Sequence, residues 1–195
     1  STPIPDTTET TVASSFQLYQ ELGLRGEVNF PAFEQALKGF SRYASGQDRL
    51  LVLIDYTKPS TEKRFYILDL LQKKLLLSTY VAHGRGSGDN YAVAFSNRPG
   101  SYQSSLGFFR TGDTYMGKNG YSLFLDGLEK GINDKARERA IVVHGANYAD
   151  PAVLKGQQRL GRSLGCPALP PDISKQVIDT IKGGVLLYIY GLNKA

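Results

Sequence analysis

Cysteine, histidine and tryptophan are the scarce residues of this chain. Its 195 residues include one cysteine, Cys166, two histidines, His83 and His144, one methionine and no tryptophan. A single cysteine cannot close an intrachain disulfide, so no disulfide framework exists. Any chemistry that needs an imidazole has two candidates. Long apolar runs are missing too: none approaches the roughly 18–20 residues of a membrane span. Charge of one sign is not collected anywhere. The 23 Lys and Arg and 18 Asp and Glu are scattered and leave a net charge of +5. That mild excess suits anionic partners, but it lacks the concentrated basic face of a nucleic-acid binder.

What is present reads as an ordinary globular protein, 41% hydrophobic and 21% charged. A chain of this size buries about 70% of its unfolded surface, enough for a core of its own. Turns are frequent, with 21 Gly and 9 Pro. Residues 1–11, STPIPDTTETT, read as a flexible leader, polar and without a basic or apolar targeting stretch. Residues 12–47 read as a helical segment. One helix is expected over FQLYQELGL, after Ser14 and Ser15 and with a Gly23 stop. In a second, Asn29 is the cap, Pro31 lies in the first turn, and Phe33, Ala36, Leu37 and Phe40 recur at helical spacing.

The texture changes near residue 48. LLVLIDY, RFYILDL and KKLLLSTYVAH are short β-favouring runs with polar turns between them, which argues for an antiparallel sheet. From Gly84 to Gly120 glycine, serine and asparagine predict loops. Further strands are expected at Tyr121–Leu125, Ala140–His144 and VLLYIYG. DPAVLKGQQ reads as a helical turn, and a helix over ISKQVIDTIKGG ends at its glycines. The fold class is therefore mainly β with added helices (α+β), over residues 48–195.

The chemistry points to Ala140–Leu169. His144 ends an apolar strand and is followed at once by Gly145. Cys166 sits in SLGCP, between Gly165 and Pro167. A thiol nucleophile needs a base in reach and donors for the oxyanion. A glycine turn at a strand end can present all three, with the Gly165 and Cys166 amides as the donors. From spacing alone the bland reading stands beside this one: Cys166 as a buried filler and His144 as a hydrogen-bonded strand-end residue. The order His before Cys disfavours papain-like enzymes. His83, His144 and Cys166 also form a ligand set that zinc accepts, though none of the tight zinc spacings is present. Arg159 and Arg162, just before the nucleophile turn, have the fork that suits carboxylates. Ser163 either orients His144 or caps the turn. Tyr91 and Tyr102 are candidates for lining a cleft.

His144-Gly145 followed by Ser163-Leu164-Gly165-Cys166 resembles the catalytic motif of the L,D-transpeptidases, the YkuD-like family. That family often has His before the Gly-Cys and Arg two residues after the Cys. Here those positions are Leu164 and Ala168. The wording SLGCPALP is closer to the murein L,D-transpeptidase catalytic-domain branch. SSLGFF (Ser104–Phe109) resembles the family's substrate-cleft segment. VAHGRGSG, NYAVAFSN, GYSLFLDGLEKGIND and ARERAIVVHGA are also similar to that branch. The resemblance covers about residues 50–191.

It implies an L,D-transpeptidase-type β-sandwich behind an N-terminal helical segment. It also implies a peptidoglycan enzyme in which Cys166 acylates and His144 moves the proton, with no metal or cofactor. Stem peptides are the expected partners, with a carbapenem adduct at Cys166 as a related expectation. His83, Gly84, Ser163, Arg162, Ser105 and Gly107 become candidate substrate-binding residues. The substrate implies an exported, periplasmic location. An L,D-carboxypeptidase, a hydrolase that releases wall-tethered protein, and a non-catalytic wall-binding module are the alternatives.

Overall fold

The computed structural model describes residues 7–45 and 48–194, with side chains from Ser14 onward. Helices α1 (Thr7–Glu21) and α2 (Phe30–Tyr43) come first. Strands β1 (Leu50–Asp55), β2 (Phe65–Asp69), β3 (Lys74–Thr79), β4 (Gly107–Gly117), β5 (Gly120–Gly127), β6 (Val142–Gly145) and β7 (Ala168–Leu169) follow. Helix α3 (Pro171–Ile181) and strand β8 (Leu186–Tyr190) close the chain. Among the described residues no helix is long and apolar enough to cross a membrane.

All eight strands join one sheet in the order β3-β2-β1-β8-β4-β5-β6-β7. Neighbours are antiparallel except β1–β8 and β6–β7. The expected mixed β architecture is present as a single curled sheet. Its two ends meet where Ala82, beyond β3, bridges Ala168 of β7, and where Gly84 bridges Ser163. This closure brings the loop after β3 against the turn that carries Cys166.

Strand parity explains the core. β1 is buried at every position because both of its faces are covered. Val52 and Ile54 point inward with Phe65, Ile67, Leu187 and the α3 residues Val177 and Ile178. Leu51 and Leu53 point outward under Tyr19, Phe33 and Ala36 of the helical layer. Successive strand side chains alternate between faces, so a strand sandwiched on both sides reads as a continuous apolar run. The helical segment thus shares a core with the sheet. α2 lies so close that a Cβ on Gly39 would fall inside the Phe108 ring.

Several local expectations change. α1 begins at Thr7, within the stretch read as a flexible leader; residues 1–6 lie outside the described residues. No helix breaker follows Pro5 until Gly23, so the helix extends back towards that proline. Asn29 occupies the cap position of α2 and Pro31 its first turn, but the Asn29 side chain makes no capping bond. It donates to Asp55 Oδ2 at 2.8 Å and ties the helix start to the end of β1. The stretch read as loop contains the eleven-residue strand β4. Its turn-forming residues are used at a register shift between Thr111 and Thr114 and at the hairpin tip. β7 has two residues, too few to leave a periodic signal.

Candidate active site

Cys166 reaches the site through a chain of backbone constraints. Ser163 Oγ donates to the Cys166 carbonyl at 2.6 Å and accepts the Gly165 N–H at 3.1 Å. The Ser163 N–H donates to the His83 carbonyl, and the Arg85 N–H donates to the Ser163 carbonyl. Gly165 has φ 128°, and a Cβ there would meet Ile141 Cδ1 at 2.9 Å and the Gln103 carbonyl at 3.0 Å. Only glycine fits that turn without displacing its neighbours. Ser163 therefore caps the turn, one of its two expected roles, and makes no bond to His144.

The parallel pairing of β6 and β7 sets the frame. His144 lies opposite Ala168. Two residues before each member of that pair, the Val142 N–H points at Cys166 Sγ at 3.5 Å. The thiol in turn points at the Ala140 carbonyl, also at 3.5 Å. Cys166 thus lies alongside the strand whose end holds His144, and both side chains are buried. No hydrogen bond joins Sγ to the imidazole. Burial pushes the thiol above its ordinary pKa, partly offset by the Val142 amide and by Arg139 and Lys118. The thiol at rest is protonated near neutral pH.

His144 Nδ1 faces the Gly145 carbonyl at 2.9 Å. A carbonyl only accepts, so Nδ1 holds the proton and Nε2 keeps its lone pair. Burial pushes the imidazole below its ordinary pKa, partly offset by that carbonyl. The ring is thus neutral and oriented, with a free basic nitrogen.

The remaining candidates separate by environment. His83 is 1% exposed. Its Nδ1 accepts from Arg64 Nη2 at 2.9 Å, and Nε2 faces the Gly88 carbonyl at 3.3 Å. Burial first, and Arg64 second, lower its pKa to about 3. With both nitrogens engaged it holds the loop beneath the Cys166 turn, as a structural turn histidine does. Gly84 is a close-approach position, where a Cβ would meet Gly165 Cα at 2.9 Å. Its N–H is taken by Ser104 Oγ.

Arg162 Nη1 donates to the Gly88 carbonyl, and Arg159 pairs with Asp89 at 2.5 Å. Both arginines hold the 85–89 loop rather than standing free. Ser105 is buried, donates to the Ser96 carbonyl and accepts from Arg139. It is thus part of the hydrogen-bonded frame that holds the 96–105 loop. Gly107 opens β4 opposite Ile189 and lines a groove with Pro31, Phe108 and Tyr188, on the side of the helical layer. Tyr102 lies under Arg85 at 4.4 Å, and Tyr91 is half exposed beside Ala92 and Val93.

The Gly165 amide, expected in the oxyanion hole, already donates to Ser163 Oγ. The Cys166 amide has no partner among the described residues and remains available. The zinc alternative fails on placement: among the described residues no three His, Cys, Asp or Glu side chains converge as a metal site.

Two neighbours of Cys166 were not singled out from the sequence. Tyr148, in the insert after His144, is pushed to a pKa of about 12 by burial and then by the thiolate's charge. Arg139 lies in ARERAIVV and gives no local signal, because a charge run before a strand resembles any solvated turn.

The chain belongs to the L,D-transpeptidase catalytic-domain family, whose model matches residues 24–190. No curated protein matches the chain. Among solved structures, an L,D-transpeptidase from Mycobacterium smegmatis is 13% identical with a TM-score of 0.45, over 73% of this chain and 59% of that one. The helical cell shape determining protein Pgp2 from Campylobacter jejuni is 16% identical with a TM-score of 0.50, over 76% of this chain and 50% of that one. An L,D-transpeptidase (Yku) from Stackebrandtia nassauensis is 14% identical with a TM-score of 0.45, over 95% of this chain and 90% of that one. At these identities the likeness is one of fold. The chain spans half to three fifths of the length of the first two.

Proposed function

We propose that this chain is a cysteine acyltransferase that crosslinks peptidoglycan stem peptides. The observation that carries this reading is the His144 Nδ1–Gly145 carbonyl bond, which leaves Nε2 basic at the end of the strand flanking Cys166. In the reaction the thiol gives up the Ala140 carbonyl and passes its proton to Nε2. Hydrogen bonds of this kind are commonly long in a resting enzyme and tighten with substrate.

The thiolate attacks the carbonyl after the L-centre of a diamino acid in the stem. The Cys166 amide faces the oxyanion that forms. The C–N bond to the D-residue breaks, and its amine leaves with the proton held by His144. A thioester remains on Sγ. An amine from a second stem attacks it, yields its proton to His144 and releases the thiolate. No step draws on a metal or cofactor. The substrate lies outside the cytoplasmic membrane, so the protein works as an exported, periplasmic enzyme. A β-lactam carbonyl meets the same thiol, and intact mass after carbapenem incubation is expected to show one adduct on Cys166. No adduct after long incubation would count against that expectation.

Purified protein incubated with tetrapeptide muropeptides, beside a Cys166→Ala control, tests the reading by mass spectrometry. Dimers lost in the control support it. Tripeptide stems without dimers move it to an L,D-carboxypeptidase. No change in either sample overturns it in favour of a wall-binding module.

A further inference from the structure

Arg139 is a cation without a carboxylate. Its Nη1 donates to the Ser96 carbonyl at 2.9 Å and to Ser105 Oγ at 2.8 Å; its Nη2 donates to Ser101 Oγ at 3.1 Å and to the Gln103 carbonyl at 2.8 Å. All four acceptors are neutral, and all belong to one loop, residues 96–105. The side chain is only partly exposed. A half-buried guanidinium with neutral acceptors keeps its positive charge uncompensated by any carboxylate. The backbone aims it. Residues 136–141 form a tight turn in which Ile141 N–H reaches the Ala136 carbonyl and Ala140 N–H reaches the Arg137 carbonyl, with Ala140 at φ 55°. That turn sends Arg139 towards the nucleophile: Nη2 would lie 3.5 Å from a Cβ placed on Gly165. The same turn delivers the Ala140 carbonyl to the Cys166 thiol.

We infer that Arg139 is a positioning residue for Cys166: clamped by the 96–105 loop, its guanidinium supplies the positive charge against which the thiolate forms. The inference rests on Cys166 being the nucleophile. The other groups that interact with the thiol are Lys118 from the β4–β5 hairpin and the hydroxyls of Tyr56 and Tyr148, with His144 at the end of the flanking strand. Only Arg139 and Lys118 carry positive charge. Arg139 lies beside Gly165, whereas Lys118 stands at a hairpin tip and is the weaker influence. The coupling runs both ways, because the thiolate holds up an arginine pKa that burial lowers.

The test is the pH dependence of iodoacetamide alkylation at Cys166, read by mass in the full chain, where no second thiol competes. Arg139→Gln is expected to raise the midpoint by about one pH unit, so alkylation below both midpoints slows about tenfold. Arg139→Lys keeps the charge and is expected to stay close to the parent. A Gln variant that melts like the parent and keeps its midpoint overturns the inference. So does a Lys variant whose midpoint rises as far as that predicted for Gln, and this arm stands even if the Gln variant fails to fold. Cys166→Ala that still crosslinks muropeptides would sink the nucleophile reading instead, leaving the alkylation result in place.

Discussion

The chain spells His-Gly twice, once in the loop after β3 and once at the end of β6, and the two histidines are held in opposite ways. His83 has both ring nitrogens engaged, one by a fully buried arginine that is itself locked onto the Val81 and Lys58 carbonyls. His144 has one nitrogen tied to its neighbour's carbonyl and the other free. Each ring is held neutral by burial, but only His144 keeps an unengaged nitrogen, which is what the proposed base needs. The difference lies in what packs behind the ring. Arg64 stands behind His83; behind His144 there is the parallel strand that leads from Cys166.

The comparison breaks most sharply at its chemical end. Cys166→Ala is expected to lower crosslinking by at least about a thousandfold with the fold intact, checked by muropeptide mass spectrometry beside a melting curve. Exchanging the two histidines in turn should separate their roles. His144→Ala is expected to slow the reaction by about 10²–10⁴-fold, a loss far beyond any change in its melting temperature. His83→Ala strands a buried Arg64 donor, which costs about 1–3 kcal/mol. That should lower the melting temperature by roughly 2–4 °C per kcal/mol. If His83→Ala melts like the parent yet loses activity, the division of labour drawn here is wrong.

Acid sharpens the contrast. The unfolded His83 ring takes a proton near pH 6.5, while the folded ring resists until about pH 3. Between those values the unfolded chain binds more protons, so stability falls as the pH drops from 6.5 towards 3. Urea midpoints across that window should fall steeply in the parent and less so in His83→Ala. His144, also lowered by burial, contributes in the same direction. The smallest effect lies in the turn before β6. Ala140 holds a left-handed φ of 55°, and Ala140→Gly should relieve it for a gain under about 1 kcal/mol, read by denaturant melts.

Much of this was legible in the sequence. The continuous apolar run of β1, the helical periods of α2 and α3 and the glycine turns follow from local chemistry, whereas His144 and Cys166 were joined in one motif by the family resemblance and not by their spacing. β4 was not legible, because its turn-forming residues serve at a bulge and a hairpin tip. Arg139 was not legible either, since nothing local separates it from the exposed charges of Arg137 and Glu138 beside it. The assignment of roles at Ser163, Ser105, Arg159 and Arg162 also waited on the fold. Ser105, Arg159 and Arg162 bond to loops brought from elsewhere in the chain, and Ser163 bonds locally, where the sequence left two roles open.

The sequence by itself determined which side chains are available for chemistry: one thiol, two imidazoles, and glycines where the backbone must come close. The closure of the curled sheet decided which imidazole stays unsatisfied and which cation lies beside the Cys166 turn. Hydrophobic patterning is local and repeats along the chain. The satisfaction of a buried polar atom depends on partners brought from distant segments, so only the tertiary structure resolves it.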